Sequence, residues 1–350
     1  MNITHSKESA ISNINKLSAD NKAFFFMINY DQSKTIVLPI SELKNQRKIQ
    51  FAVPGFDSSV LNTNAISIAG EKESLNQGEK EVPDFFLDST PLDFEDYAKM
   101  YLKVKNEIEN GNTYLLNLTT QTPIYTNLGL QDIYKHATAK YKLYYNNQFT
   151  VFSPETFITI KDGIVKTYPM KGTINADLPN SKNQLANNRK EMAEHASIVD
   201  LLRNDLGSVS NNIKVNRFRY FEYISTSHKN LWQVSSEIQG ELPKNYKSSL
   251  GSIIFKLLPA GSVTGVPKQK TLEIIKETEG YDRGFYTGIF GYYDGANLES
   301  AVMIRFIEKI RNQLWYKSGG GIHELSNPKE EYEELINKIY VPIPGKYLYK

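Results

Sequence analysis

Two β-rich runs, Thr156–Ile160 and Ile164–Thr167, close on Asp162-Gly163. An Asp-Gly pair in that setting favours a tight turn with positive φ, which reverses the chain and sets the flanking strands antiparallel. At least part of the sheet structure must therefore be built from hairpins. Further β-type runs are Phe24–Tyr30, Thr35–Pro39, Ile49–Val53, Tyr114–Thr119, Lys214–Ile224, Leu231–Ile238, Tyr286–Tyr292, Ala301–Glu308 and Gln313–Lys317. Helical spacing is interspersed with them. Phe94, Tyr97, Tyr101, Val104 and Ile108 recur with that period, and Gly111 follows as a C-cap. Leu130–Tyr145, Ser181–Asp205, Tyr246–Leu257, Pro267–Glu279 and Pro328–Ile339 are also expected to be helices. Residues 1–20 are polar and read as frayed or weakly helical, and 70–92 read as a loop or linker. Helices mixed with antiparallel strands predict the α+β class.

The 350 residues suffice for one large unit or two small ones. The expected division is a short N-terminal region, 1–90, and a main unit, 91–345. Forty-one Lys and Arg against 39 Asp and Glu leave a formal charge of +2 with no long basic block, so nucleic acid is not an expected partner. The absence of cysteine excludes disulfides, thiolate metal sites and a cysteine nucleophile. Residues 1–10 have no apolar h-region, and no apolar run reaches the ~18 residues of a membrane span. A soluble cytoplasmic protein is expected.

Three groups of residues carry possible chemistry. Glu191 and Glu194 sit at i and i+3 of one predicted helix, and Glu331 and Glu334 repeat the spacing in another. Residues so spaced share a helix face. By spacing alone such pairs either lie on solvated faces or, if the two faces meet, enclose a hard cation such as Mg²⁺. The turn Pro259–Lys268 and the triplet Gly319-Gly320-Gly321 could let backbone approach an anion, or could simply be tight turns. Neither matches the phosphate-loop pattern. Lys171, in Tyr168-Pro169-Met170-Lys171-Gly172-Thr173, is a surface charge or, if desolvated, a nucleophile.

In order along residues 93–340, the chain carries Ser153-Pro154-Glu155, the Lys171 segment, Glu191–Leu206, Pro259–Lys268, Arg283–Gly288, Ile304-Arg305, Gly319–Ile322, Glu331–Glu334 and Lys338. This ordered set resembles the chorismate-utilising family, which includes anthranilate, aminodeoxychorismate, isochorismate and salicylate synthases. The resemblance implies two stacked antiparallel sheets with helices outside. It implies Mg²⁺ on the ring carboxylate of chorismate, with Glu194 and Glu334 as direct ligands and Glu191 and Glu331 acting through water. Arg305, Tyr286 and Lys338 are the implied substrate-carboxylate contacts, with Thr173, Ser262 and the backbone of Gly319 and Gly321 completing the site. Arg203-Asn204-Asp205 is expected to be a structural network.

Within the family, lysine at position 171 resembles the aminodeoxychorismate branch, which feeds p-aminobenzoate and folate synthesis. Lys171 would attack carbon 2 as the carbon 4 hydroxyl leaves, and Glu155 would protonate that hydroxyl. Ammonia would then enter at carbon 4, supplied by a separate glutamine amidotransferase subunit. No lyase domain is expected after residue 340, so aminodeoxychorismate itself should be released. There are departures from the family pattern. Gln233 stands where a catalytic histidine is common, and Gln cannot shuttle a proton. His195 and His228 lie near in sequence, without an assigned role. Leu115 stands where many amine-transferring members carry Gln, and it offers no base for activating water. The N-terminal region shows no tryptophan-binding segment. Anthranilate synthase chemistry, isochorismate-type chemistry and a degenerate regulatory subunit are the alternatives.

Overall fold

The computed structural model describes residues 4–43, 48–62, 84–225 and 230–343. His228 and most of the 70–92 loop fall outside them. All strand pairing is antiparallel. One sheet runs Thr4–His5, Thr35–Pro39, Phe24–Ile28, Ile289–Tyr293, Leu298–Val302, Thr156–Lys161, Ile164–Thr167, Asn230–Glu241 and Met170–Asn175, with Asn211–Ser225 along the far edge of Asn230–Glu241. The other runs Gly265–Val266, Leu115–Thr126, Gln313–His323, Phe306–Ile310, Phe149–Ser153, Tyr141–Tyr145, Ile49–Val53 and Phe56–Asp57, with Leu87–Ser89 beside Leu115–Thr126.

The strand Phe24–Ile28 shows how the layers are filled. Side chains alternate across a strand, yet all five of these are buried. Phe25 and Met27 face the second sheet and pack with Phe51, Leu143, Phe149 and Phe306. Phe24, Phe26 and Ile28 face outward beneath Ala10, Ile14, Ile253 and Ile254 of the helices Lys7–Ala19 and Leu250–Lys256. The second sheet is covered by the helices Phe94–Glu109, Lys268–Glu279 and Pro328–Asn337, through Tyr97, Tyr101, Val104, Ile274 and Leu335. The expected α+β sandwich is the observed fold. Residues of 1–90 supply strands to both sheets, so the sandwich is shared between the two expected regions.

Several boundaries differ from expectation. Residues 7–19 form a well-capped helix, with Ser6 accepting from the Ser9 amide, because Ala10 and Ile14 are buried on the sheet. The predicted helix Leu130–Tyr145 stops at His136, and Tyr141–Tyr145 is a strand. Tyr141 and Leu143 are buried between neighbouring strands, and Asn146 and Asn147, both with positive φ, turn the chain back into Phe149–Ser153. Tertiary pairing overrides the helical period there. The helix expected over Ser181–Asp205 is two, Ser181–Asn187 and Arg189–Gly207. They are separated at Asn188, whose backbone is extended and whose side-chain Oδ1 accepts from the Glu191 amide. Asn competes with the helix by such local bonds. The stretch Ala301–Glu308 likewise divides, the chain leaving one sheet after Val302 and joining the other at Phe306. The glycine triplet lies inside the strand Gln313–His323 rather than after it.

Candidate active site

The polar residues of the site converge where the chain passes between the sheets. Glu155 lies between Phe149–Ser153 of one sheet and Thr156–Lys161 of the other, and Arg305 occupies the equivalent gap before Phe306. The two crossings are tied together. The Val302 amide donates to the Glu155 carbonyl at 3.1 Å and the Phe152 amide to the Arg305 carbonyl at 3.2 Å. Arg305 has φ of 53°, an uncommon conformation for a residue with a Cβ that the double crossing imposes. Its Nη1 donates to the Lys338 carbonyl at 3.3 Å, while its buried Nε has no hydrogen-bond partner among the described residues. That nitrogen is a donor in want of an acceptor.

Two helices bring the four glutamates to the same place. Glu191 and Glu194 enter from the first turns of Arg189–Gly207, and Glu331 and Glu334 from Pro328–Asn337, whose N-terminus is set by the Asn327 cap and Pro328. The glycines leave room for them. A Cβ on Gly320 would lie 3.5 Å from Glu331 Oε2 and 3.7 Å from Glu334 Oε1. One on Gly172 would lie 3.0 Å from Glu191 Oε2, and one on Gly321 would lie 2.9 Å from Lys171 Nζ.

Each carboxylate except Glu191 is met by an ammonium group. Lys171 Nζ lies 2.8 Å from Glu194 Oε2, Lys190 Nζ 2.7 Å from Glu331 Oε1 and Lys338 Nζ 2.6 Å from Glu334 Oε1. Lys338 also donates to the Gly319 carbonyl at 2.8 Å. Burial pushes the Glu194 carboxyl up, but Lys171 and His323 outweigh it and hold the pKa at about 2. Burial pushes the Glu191 carboxyl up and Glu194 beside it pushes it further. Burial works against the Lys171 ammonium, yet Glu194, Glu334 and Glu191 raise its pKa above the ordinary value. In this arrangement Lys171 is a charged counter-ion.

Glu155 accepts a short hydrogen bond from the Ser262 hydroxyl. Burial raises its pKa, against the pull of Ser262, Lys171, Lys338 and Arg305, which favours the protonated acid. Ser262 is thus engaged with Glu155. Tyr286 is buried against Phe306, close enough to Arg305 and Glu155 for both to act on its hydroxyl. Leu115 forms an apolar wall, packed with Ile198 and Leu201. Thr173 is exposed and pairs in register with Gln233, whose buried amide donates to Met170 Sδ and Ser235 Oγ. His195 is buried on Ser236, and its pKa falls to about 4, chiefly through burial, so it is neutral at neutral pH. Of the Arg203–Asp205 run, Asp205 binds Lys268 at 2.7 Å and joins two helices, whereas Arg203 pairs with Asp200 at the surface.

Two site residues were not singled out from the sequence. Lys190 precedes Glu191, and His323 follows the glycine triplet by two positions; the only sequence signal was adjacency to the motifs.

The donor set is all carboxylate, which suits a hard divalent cation such as Mg²⁺. Among the described residues the carboxylates do not close as a coordination group. Lys171, Lys190 and Lys338 supply the positive charge beside them. The residues fit such an ion in kind, provided Lys171 withdraws from Glu194.

The site thus joins an acid and an arginine at the crossings of a two-sheet sandwich to a lysine and two pairs of glutamates from the elements around them. The model of the chorismate binding enzyme family matches residues 3–344, and the chain belongs to that family. An uncharacterized PabA-like protein of Haemophilus influenzae is 42% identical over 335 residues, covering 96% of this chain and 97% of that one. Aminodeoxychorismate synthase component 1 of Bacillus subtilis is 32% identical over 267 residues, 72% of this chain and 56% of its own length. The menaquinone-specific isochorismate synthase of Escherichia coli superposes with a TM-score of 0.68 over 96% of this chain and 82% of its own. At 16% identity it shares the fold. Among the described residues no helix is long and apolar enough to cross a membrane.

Proposed function

We propose that the protein converts chorismate and ammonia to 4-amino-4-deoxychorismate. One observation carries this reading: Lys171 lies in the carboxylate cluster near enough to Glu155 to act on it electrostatically, while Leu115 gives the cleft an apolar wall. A lysine and an acid in one cleft suit covalent displacement of a hydroxyl. The apolar wall offers no group to activate water.

Glu194 and Glu334 would hold Mg²⁺ directly and Glu191 and Glu331 through water, the ion neutralising the ring carboxylate of the substrate. Arg305, with its unpaired Nε, and Lys338 would bind substrate carboxylate. The Lys171 ammonium, once it has left Glu194, would give a proton to solvent, and the resulting amine forms a bond to carbon 2 as the carbon 4–oxygen bond breaks. Glu155 gives its proton to that oxygen, and water leaves. Ammonia bonds to carbon 4, the carbon 2–nitrogen bond breaks, and Lys171 departs as an amine. The extra proton on the new amine returns to the Glu155 carboxylate. Tyr286 and Ser262 orient Arg305 and Glu155. Gln233 has no proton to shuttle, and neutral, buried His195 does not replace it. With no cysteine in its 350 residues, the chain has no thiol of its own for glutamine hydrolysis, so a separate amidotransferase would supply ammonia.

The test is to incubate the protein with chorismate, Mg²⁺ and concentrated ammonium at alkaline pH and identify the product by mass. A product with one amine in place of one hydroxyl, still holding its enolpyruvyl group, is expected. Anthranilate with pyruvate would overturn the amine-for-hydroxyl reading, and unchanged chorismate would favour a non-catalytic subunit.

A further inference from the structure

We infer that a small cavity beside Glu155 is the subsite from which ammonia attacks, and that Leu202 sets its size so that larger amines are excluded. The inference rests on the proposed exchange of amine for hydroxyl.

The cavity has a free volume of ≈ 20 Å³, and its lining includes Glu155, Ser262, Pro169, Leu202, Asp205 and Leu206. A water molecule needs ~10–15 Å³, so there is room for one molecule the size of ammonia and none for an added methyl group. Leu202, Asp205 and Leu206 stand about one turn apart on one face of the helix Arg189–Gly207. Ser262 comes from the turn Gly261–Val263. A Cβ on Gly261 would lie 3.0 Å from Asp205 Oδ2, so helix and turn close on each other here. Pro169 immediately precedes the strand Met170–Asn175, which carries Lys171. The cavity therefore adjoins both the acid and the strand of the nucleophile.

The proposed reaction needs ammonia at this place. Carbon 4 loses its hydroxyl to the Glu155 proton, and ammonia enters at the same carbon. Its lone pair bonds to carbon 4 as the carbon 2–nitrogen bond to Lys171 breaks. The surplus proton on the new amine passes to the Glu155 carboxylate, and Lys171 departs as a neutral amine. Both proton transfers put carbon 4, and so the incoming nitrogen, within reach of Glu155. Asp205 is an acceptor for an ammonia N–H, which leaves the lone pair free. Lys268 at 2.7 Å already neutralises that carboxylate. With Leu202 and Leu206 beside it, the cavity favours the neutral nucleophile over charged ammonium.

The test compares wild type with Leu202→Phe, which fills the cavity, and Leu202→Ala, which enlarges it. Amination is followed with ammonia and with methylamine at equal concentrations of the neutral amine, and melting curves monitor folding. Leu202→Phe is expected to raise KM for ammonia at least ~10-fold and to leave KM for chorismate unchanged. Wild type is expected to favour ammonia over methylamine at least ~10-fold, and Leu202→Ala to narrow that preference, giving the N-methyl product. A side chain that only supported the fold would move both KM values together and leave amine preference alone. An unchanged KM for ammonia in Leu202→Phe overturns the inference. If that variant does not fold, wild-type amine preference in Leu202→Ala does so. Wild type that forms no aminated product with either amine overturns the proposed reaction and this inference with it. Wild type that aminates, with both variants unchanged, overturns the subsite alone.

Discussion

Lys171 and Glu194 form an ion pair of 2.8 Å inside the cleft, between a strand of one sheet and a helix outside it. The pair neutralises a buried charge, and in the proposed reaction it also withholds the lysine from attack. Removing one partner has consequences for both roles.

Lys171→Ala should lower amination by at least ~100-fold, as loss of an activated nucleophile does. The same change removes an ammonium group that competes for Glu194, so Mg²⁺ should bind more tightly than in wild type. Product assays and calorimetry on one protein preparation check both.

The protein should lose stability in acid through Glu194. Its carboxyl is held at about 2 in the fold, well below the ordinary glutamate value. A depressed acid contributes stability above its unfolded pKa, and that stability fades as pH falls from about 4.5 toward 2. The shift corresponds to a contribution on the order of 3 kcal/mol. Melting curves in EDTA between pH 6 and 3 should fall steeply for wild type and more gently for Glu194→Gln.

Glu155 should set the alkaline limb of activity. An acid whose pKa is raised stays protonated to higher pH, and kcat/KM should decline as pH rises through that raised value. The Ser262 hydrogen bond favours the carboxylate, so Ser262→Ala should move the limb further toward high pH. Glu155→Gln should abolish the limb together with most of the activity.

Gly321→Ala separates placement from folding. The new methyl would lie 2.9 Å from Lys171 Nζ, the far end of a flexible side chain. The fold should survive with little change in melting temperature, while amination falls because the lysine is displaced.

Arg283→Met should be severe. Arg283 is 2% exposed and pairs with Glu279 at 2.6 Å, while also donating to the Val263 and Asn117 carbonyls. Leaving Glu279 buried without its partner is expected to cost ~3–5 kcal/mol, measurable by urea unfolding.

The amino-acid sequence by itself determined the local elements with strong signals. The Asp162-Gly163 hairpin pairs Lys161 with Ile164, both turn residues having positive φ. The amphipathic helix over 94–109 begins at its Asp93 cap. The ordered motifs pointed to the family and to the sandwich, because they are short and carry their information in residue type. Tertiary structure decided the rest. Tyr141–Tyr145 is a strand because partners lie on both sides, a fact its own periodicity does not contain. Spacing placed Glu191 with Glu194 and Glu331 with Glu334, but only the docking of two helices on the glycine strand joined the pairs. The state of Lys171 depends on carboxylates from two helices. Such contacts join residues far apart in the chain, and burial decides their strength, so no local pattern encodes them.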